Sequence, residues 1–138
     1  MTGKCFVDSN VWLYLLTDDD PVKAGKADAV LSEIRQKVIS WQVINEVCSA
    51  LLRKKGKDES FVRRTIDLIC DSCEVTDFNV SLLETASHLR AQDSISFWDS
   101  LVVAAAFSAE CDVLLSEDMQ NGRRYGDMVV RNIFTEVD

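Results

Sequence analysis

The chain is poor in histidine, proline and positive charge. His88 is its only histidine, and no second Cys/His pair accompanies Cys70-Asp71-Ser72-Cys73. The CxxC spacing therefore lacks the partners that a zinc site requires. Lys and Arg number 15 against 23 Asp and Glu, a net charge of −8. That balance argues against a protein that grips nucleic acid through a broad basic surface. It leaves open an enzyme that holds phosphate through bound cations, because cations reverse the local charge. No apolar run is long enough to span a membrane, and the first residues lack signal-peptide organisation. The cysteines, Cys5, Cys48, Cys70, Cys73 and Cys111, are odd in number. Free thiols in a reducing, cytoplasmic setting are thus expected, not a disulfide framework. There is no linker, repeat or low-complexity segment. The single proline, Pro21, suits the first turn of a helix.

What is present fits one domain spanning residues 1–138. The length is that of a single domain, and a hydrophobic fraction of 47% supports one sizeable core. Lys4-Cys5-Phe6-Val7 is a short apolar run stopped by Asp8-Ser9-Asn10, the pattern of a buried strand with a polar end. Asp8 has two readings. It can cap a helix beginning near Val11, or it can be the functional group delivered by the carboxyl end of a first strand. Helices are expected over Val22–Gln36, Trp41–Lys55, Phe61–Ile69 and from Asn79 to Arg90. Strands are expected at Lys37–Ser40, Glu74–Asp77, Cys111–Ser116 and Val129–Phe134. Asp18-Asp19-Asp20 reads as a solvated turn before the second helix, and Gly56 as the cap that closes the third. Met119–Asp127 reads as loop. Strands alternating with helices argue for a parallel sheet covered on both faces.

Two further carboxylates are conspicuous. Phe97 to Phe107 is apolar nearly all round, the pattern of a buried helix, yet Asp99 sits in its first turn. Burying a carboxylate is costly unless it is paired, capping or holding a metal. Glu117-Asp118 places acid just past the strand that ends at Ser116. Glu46 falls on the polar face of the third helix with Gln42, Ser49 and Arg53, where an ordinary solvent-facing role is the simpler reading. In a parallel sheet Asp8, Glu46, Asp99 and Asp118 can converge on one edge. Their natural chemistry there is that of hard oxygen ligands for Mg²⁺ or Mn²⁺. The tryptophans Trp12, Trp41 and Trp98 are expected in the core.

Phe6-Val7-Asp8-Ser9-Asn10, Ile39-Ser40 with Asn45-Glu46, Phe97-Trp98-Asp99-Ser100-Leu101 and Leu114-Leu115-Ser116-Glu117-Asp118-Met119 together resemble the PIN domain, and within it the VapC-type toxins of toxin–antitoxin pairs. The resemblance covers essentially the whole chain. It implies a three-layer α/β/α domain around a parallel sheet of about five strands, with an acidic site at the carboxyl edge. It implies a divalent-metal-dependent endoribonuclease, Mg²⁺ or Mn²⁺ being held mainly by Asp8 and Asp99. Glu46 and Asp118 would complete the site directly or through water. Ser9, Asn45 and Ser116 would orient those groups. Asp118 matches the fourth acidic position better than its neighbour Glu117. A homodimer and a cognate antitoxin partner are also implied. The alternative of another class is a catalytically weak PIN domain that serves as an RNA or protein interaction module. A receiver-like or phosphatase domain is disfavoured, since the last strand offers no lysine and Asn10 stands where a DxD pattern needs its second acid.

Overall fold

The computed structural model describes residues 3–135. The termini of the expected 1–138 domain lie outside the described residues. Twelve elements follow one another: β1 (Lys4–Val7), α1 (Ser9–Leu16), α2 (Pro21–Glu33), β2 (Gln36–Ser40), α3 (Trp41–Arg53), α4 (Glu59–Ser72), β3 (Cys73–Thr76), α5 (Val80–Gln92), α6 (Phe97–Ser108), β4 (Val113–Leu115), β5 (Arg124–Tyr125) and β6 (Met128–Arg131). The strands form one sheet in the order β3-β2-β1-β4-β6-β5. All neighbours pair in parallel except β5 with β6, which pair antiparallel. The described residues thus form an α/β fold with six helices and a mostly parallel sheet.

Chirality explains the layering. The chain steps outward from β1 to β2 to β3, carrying α1 to α4, then returns across β1 to β4 by way of α5 and α6. Right-handed crossovers put connections that run in opposite directions on opposite faces of the sheet. The packing agrees: α1 meets α2 and α3, and α3 meets α4, while α5 packs on α6. β1 is central, with Cys5, Phe6 and Val7 fully buried. The reversal of direction falls between β1 and β4. That is the switch point where sheets of this kind open a crevice at their carboxyl edge.

Helix starts are written locally. Asp8, Asp20, Ser40, Asp58, Asn79 and Ser96 each cap the helix that follows, accepting a hydrogen bond from a first-turn N–H. Asp20 thus gives the Asp18–Asp20 run its turn role, while Asp19 pairs with Lys55. The third helix closes at Lys54, and Gly56 two residues later takes the left-handed backbone at φ 67°.

Several expectations need correction. The sheet has six strands, because β5 lies inside the segment read as loop. It is two residues long, too short to display an alternating pattern, and is paired to β6 across Gly126 at φ 61°. The last strand runs Met128–Arg131 instead of Val129–Phe134, and Asn132 ends it by accepting from the Phe134 N–H at 3.0 Å. α1 begins at Ser9, not Val11, since Asp8 itself is the cap. α2 stops at Glu33, short of Gln36, which joins β2. α6 is buried from Ser100 to Ala106, but Phe97, Trp98 and Phe107 at its ends are exposed. Only Trp12 of the three tryptophans is in the core; Trp41 is 52% and Trp98 62% exposed. No helix among the described residues is long and apolar enough to cross a membrane.

Candidate functional site

Asp8 both caps α1 and stands at the carboxyl end of β1. Its N–H donates to the Leu115 carbonyl at 2.9 Å, extending the β1–β4 ladder by one rung. Its Oδ1 accepts from the Ser9 N–H at 2.8 Å, which caps α1. Its Oδ2 accepts from the Ser116 hydroxyl at 2.8 Å. The residue is 5% exposed. Burial pushes its carboxyl up to about 6, with Asp99 and Asp118 adding to the rise and the Ser9 and Ser116 hydrogen bonds opposing it.

β4 brings the second carboxyl group. Ser116 is buried and links two acids, donating to Asp8 and accepting from the Asp118 N–H at 3.3 Å. Asp118 Oδ2 accepts from the Asn10 side-chain amide at 3.0 Å, while Asn10 Oδ1 accepts from the Glu117 N–H at 3.2 Å. Asn10 thus staples α1 to the turn after β4. Sequence reading gave it no role, and nothing local signals one, because its partners lie beyond β4. Glu117 is occupied elsewhere. Its carboxylate accepts from the Tyr14 hydroxyl at 2.7 Å and pairs with Lys23 at 2.5 Å. Lys23 also lies 4.7 Å over the Tyr14 ring. The neighbouring acids therefore have different partners: Glu117 is neutralised by a cation, and Asp118 rests on an amide and stays exposed to solvent.

The helices supply the other two acids. Asp99 is half-buried in the first turn of α6, its N–H donating to the Ser96 hydroxyl at 3.1 Å. It shares a cleft of about 300 Å³ with Asp118, Asp93 and Arg123. Glu46 is exposed as a residue, yet the surrounding site covers much of its carboxylate. Burial first, then the charges of Asp8, Asp99 and Asp118, push it up to about 7. The Gln42 amide donates to Glu46 Oε1 at 3.3 Å and to the Trp98 carbonyl at 3.3 Å, tying α3 to the start of α6. Gln42 Oε1 is buried with no hydrogen-bond partner, which costs ~1–3 kcal/mol. The Asn45 amide donates to the Trp41 carbonyl one turn earlier at 3.0 Å. Asn45 and Ser9 line an open groove of about 650 Å³ beside Glu46.

The four acids thus lie within reach of one another's charge, and burial, with that crowding, raises Asp8 to about 6 and Glu46 to about 7. Among the described residues no group of three or more His, Cys, Asp or Glu is packed closely enough to grip a cation by direct contact alone. The remaining candidates separate cleanly from this edge. Cys70 is exposed and Cys73 half-buried, and among the described residues neither these nor Cys5, Cys48 and Cys111 are joined in a disulfide. His88 is on the surface. A hollow of about 390 Å³ lined by Leu89, Phe107 and Tyr125 contains none of the four acids.

Comparison with known proteins gives a consistent answer. The PIN domain family profile matches residues 5–125. No curated protein sequence matches the chain. Among solved structures, the VapC20 toxin of Mycobacterium tuberculosis, described as cleaving the sarcin–ricin loop, is 19% identical with TM-score 0.68, covering 83% of this chain and 92% of that one. A toxin–antitoxin complex from Klebsiella pneumoniae is 16% identical with TM-score 0.72, covering 91% and 96%. VapBC2 of Rickettsia felis, solved with a DNA fragment from its promoter, is 16% identical with TM-score 0.67, covering 93% and 97%.

Proposed function

Because the chain belongs to the PIN-domain family, we propose that it is a VapC-type toxin endoribonuclease. It hydrolyses RNA phosphodiester bonds at the four-carboxylate edge and is restrained by a cognate antitoxin. The observation that carries this reading is the crowding of Asp8, Glu46, Asp99 and Asp118 at the β1/β4 switch point, with Asp8 raised to about 6 and Glu46 to about 7. Uncompensated negative charge of that kind is what a divalent cation relieves.

The donor set fits Mg²⁺, with Mn²⁺ as an equal in chemistry. All four groups are hard oxygens, and Mg²⁺ keeps several waters while taking one or two carboxylates. Asp8 and Asp99 would be the principal ligands, and Glu46 and Asp118 would join directly or through water. When bound, the cation supplies Lewis acidity toward water and toward the phosphodiester oxygens. The chain's own residues do the positioning. The Ser116 hydroxyl donates to the Asp8 carboxylate, fixing its orientation, and accepts from the Asp118 backbone N–H, fixing the turn that carries Asp118. Asn10 holds the Asp118 carboxylate. Gln42 holds Glu46. Ser9 donates its N–H to Asp8, and Asn45 stiffens the first turns of α3.

The toxin–antitoxin complexes among the structural relatives support an antitoxin partner; a homodimer in the cytoplasm is proposed with it. An inhibitor offering a positively charged segment would complement the −8 chain. The test is cleavage of a mixed RNA panel, including tRNA and ribosomal RNA, by the wild type and Asp8→Asn with Mg²⁺, with Mn²⁺ and with EDTA. Metal-dependent cutting that vanishes in the variant is the expected result. A folded wild type that binds metal and RNA but cuts none of the panel overturns the enzyme reading in favour of an interaction module.

A further inference from the structure

The sheet order sets the ends of β3, β2, β1 and β4 side by side along the carboxyl edge. Asp8 follows β1 and Asp118 lies just past β4, so the acids hold one half of that edge. The other half carries aromatic side chains. Trp41 follows β2, Phe78 follows β3, and Trp98 precedes Asp99 in the first turn of α6. All are exposed: Trp98 62%, Trp41 52% and Phe78 38%. Large aromatic surface left in water beside a reactive edge marks a binding surface.

Trp98 and Phe78 face one another across the 650 Å³ groove. Ser9 and Glu46 also line it, which makes it continuous with the acids. Arg53 and Lys54, at the C-terminal end of α3, also line it. Glu46 and Arg53 stand two turns apart on α3, about 10 Å along the helix axis, a span that a nucleotide or two of backbone covers. The indole of Trp98 meets Phe97 edge-on, with centroids 5.1 Å apart and planes at 82°, and Phe97 in turn lies under the Arg90 guanidinium at 4.5 Å. That stack braces Trp98 while leaving most of it open. Gln42 pins the Trp98 backbone beside Glu46.

We propose that this groove holds one unstacked base of single-stranded RNA adjoining the bond to be cut. Trp98 is the stacking platform, Phe78 the facing wall, and Arg53 with Lys54 the contact to the neighbouring phosphate. The proposal rests on the endoribonuclease reading above and names the feature of the substrate that the site selects. A base can reach an aromatic platform inside a groove only when it is out of a duplex. The lining also fits a base better than an apolar peptide helix. Ser9, Gln42, Asn45 and Ser49 bring polar atoms, aliphatic cover comes from Leu13 and Ala50, and Arg53 and Lys54 bring two cations to the lining in an otherwise acidic chain.

The experiment measures binding of short oligo(A), oligo(C), oligo(U) and mixed-sequence RNAs, with a duplex of the mixed sequence as control. Anisotropy and tryptophan quenching are read with the full-length wild type, Trp98→Ala, Trp98→Phe, Phe78→Ala and the Arg53→Gln/Lys54→Gln pair. Each is measured with Mg²⁺ in the Asp8→Asn background and with EDTA in the native one, so that no cutting intrudes. At least one single-stranded RNA should quench Trp98 and bind about 10- to 100-fold more weakly to Trp98→Ala. Trp98→Phe should recover most of the loss, and the paired Gln variant should flatten the salt dependence. Affinity unchanged in Trp98→Ala, or duplex bound as tightly as single strand, overturns the proposal and leaves the groove to a protein partner. The absence of binding by any single strand overturns it too. Failure of the nuclease reading looks different: Trp98-dependent binding persists, and the native chain with metal cuts nothing.

Discussion

Asp8→Asn should make the metal-free protein more stable near neutral pH, although it removes a charge from the centre of the proposed site. In the folded chain the carboxyl titrates at about 6 instead of 3.8 because it is buried. Below about pH 4 it is neutral in both states and carries no penalty. Between about pH 4 and 6 the unfolded chain ionises while the folded one retains its proton, so stability falls by up to ~1.4 kcal/mol per pH unit. Above the folded pKa both states are ionised and the penalty is constant. Moving the pKa from 3.8 to about 6 corresponds to ~3 kcal/mol. Asn remains a good helix cap and keeps partners for Ser9 and Ser116, so most of that gain should survive. The difference between variant and wild type should be near zero at about pH 4 and reach ~3 kcal/mol at about pH 7.5, which is roughly 10 °C in Tm for a domain of this size. The assay is chemical and thermal unfolding in EDTA across that range. Saturating Mg²⁺ should then reverse the order, since about 1,000-fold excess over Kd adds ~4.1 kcal/mol to the protein that binds it. A difference that does not grow with pH refutes the argument that Asp8 is desolvated.

Other consequences follow from the same contacts. Ser116→Ala removes a hydrogen bond that favours the ionised form of Asp8, so the metal-free stability loss should begin at the same pH but continue to a higher one, and calorimetric Mg²⁺ affinity should drop about 10- to 100-fold. Tyr14 titrates high chiefly because its hydroxyl donates to Glu117, with Lys23 opposing. In a Tyr125→Phe background, tyrosinate absorbance should therefore show the Tyr14 pKa falling in Glu117→Gln and rising in Lys23→Met; shifts of the reverse sign would contradict the assigned geometry. Trp12→Phe deletes the indole donor to the Val7 carbonyl at 3.2 Å, and equilibrium unfolding should show a loss of ~1–3 kcal/mol that does not vary with pH. Leu114→Ala, at a fully buried point of β4, should cost ~2–5 kcal/mol and leave the Asp8 titration in place.

Much of this molecule was legible residue by residue. A buried strand stopped by Asp8, six helices each opened by Asp, Asn or Ser, and an apolar α6 with one acid in its first turn are local statements. They depend on spacings of one to four residues, over which capping and helical periodicity act. They sufficed for the alternation of strands and helices, and so for a parallel sheet with acids at its carboxyl edge. The tertiary structure decided what depends on distant partners. Whether Glu117 or Asp118 faces the acids turns on Lys23, 94 residues away from Glu117, and on Asn10, 108 residues away from Asp118. Burial of tryptophan is a question of which surface a neighbouring element covers. Trp12 is buried with its indole donating to the Val7 carbonyl, whereas Trp41 and Trp98, at the starts of α3 and α6, are left exposed. β5 exists only as the partner of β6, and two residues carry no period of their own. A sequence records what each residue prefers next to its neighbours in the chain; charge neutralisation, desolvation and exposure are properties of the neighbours that folding brings.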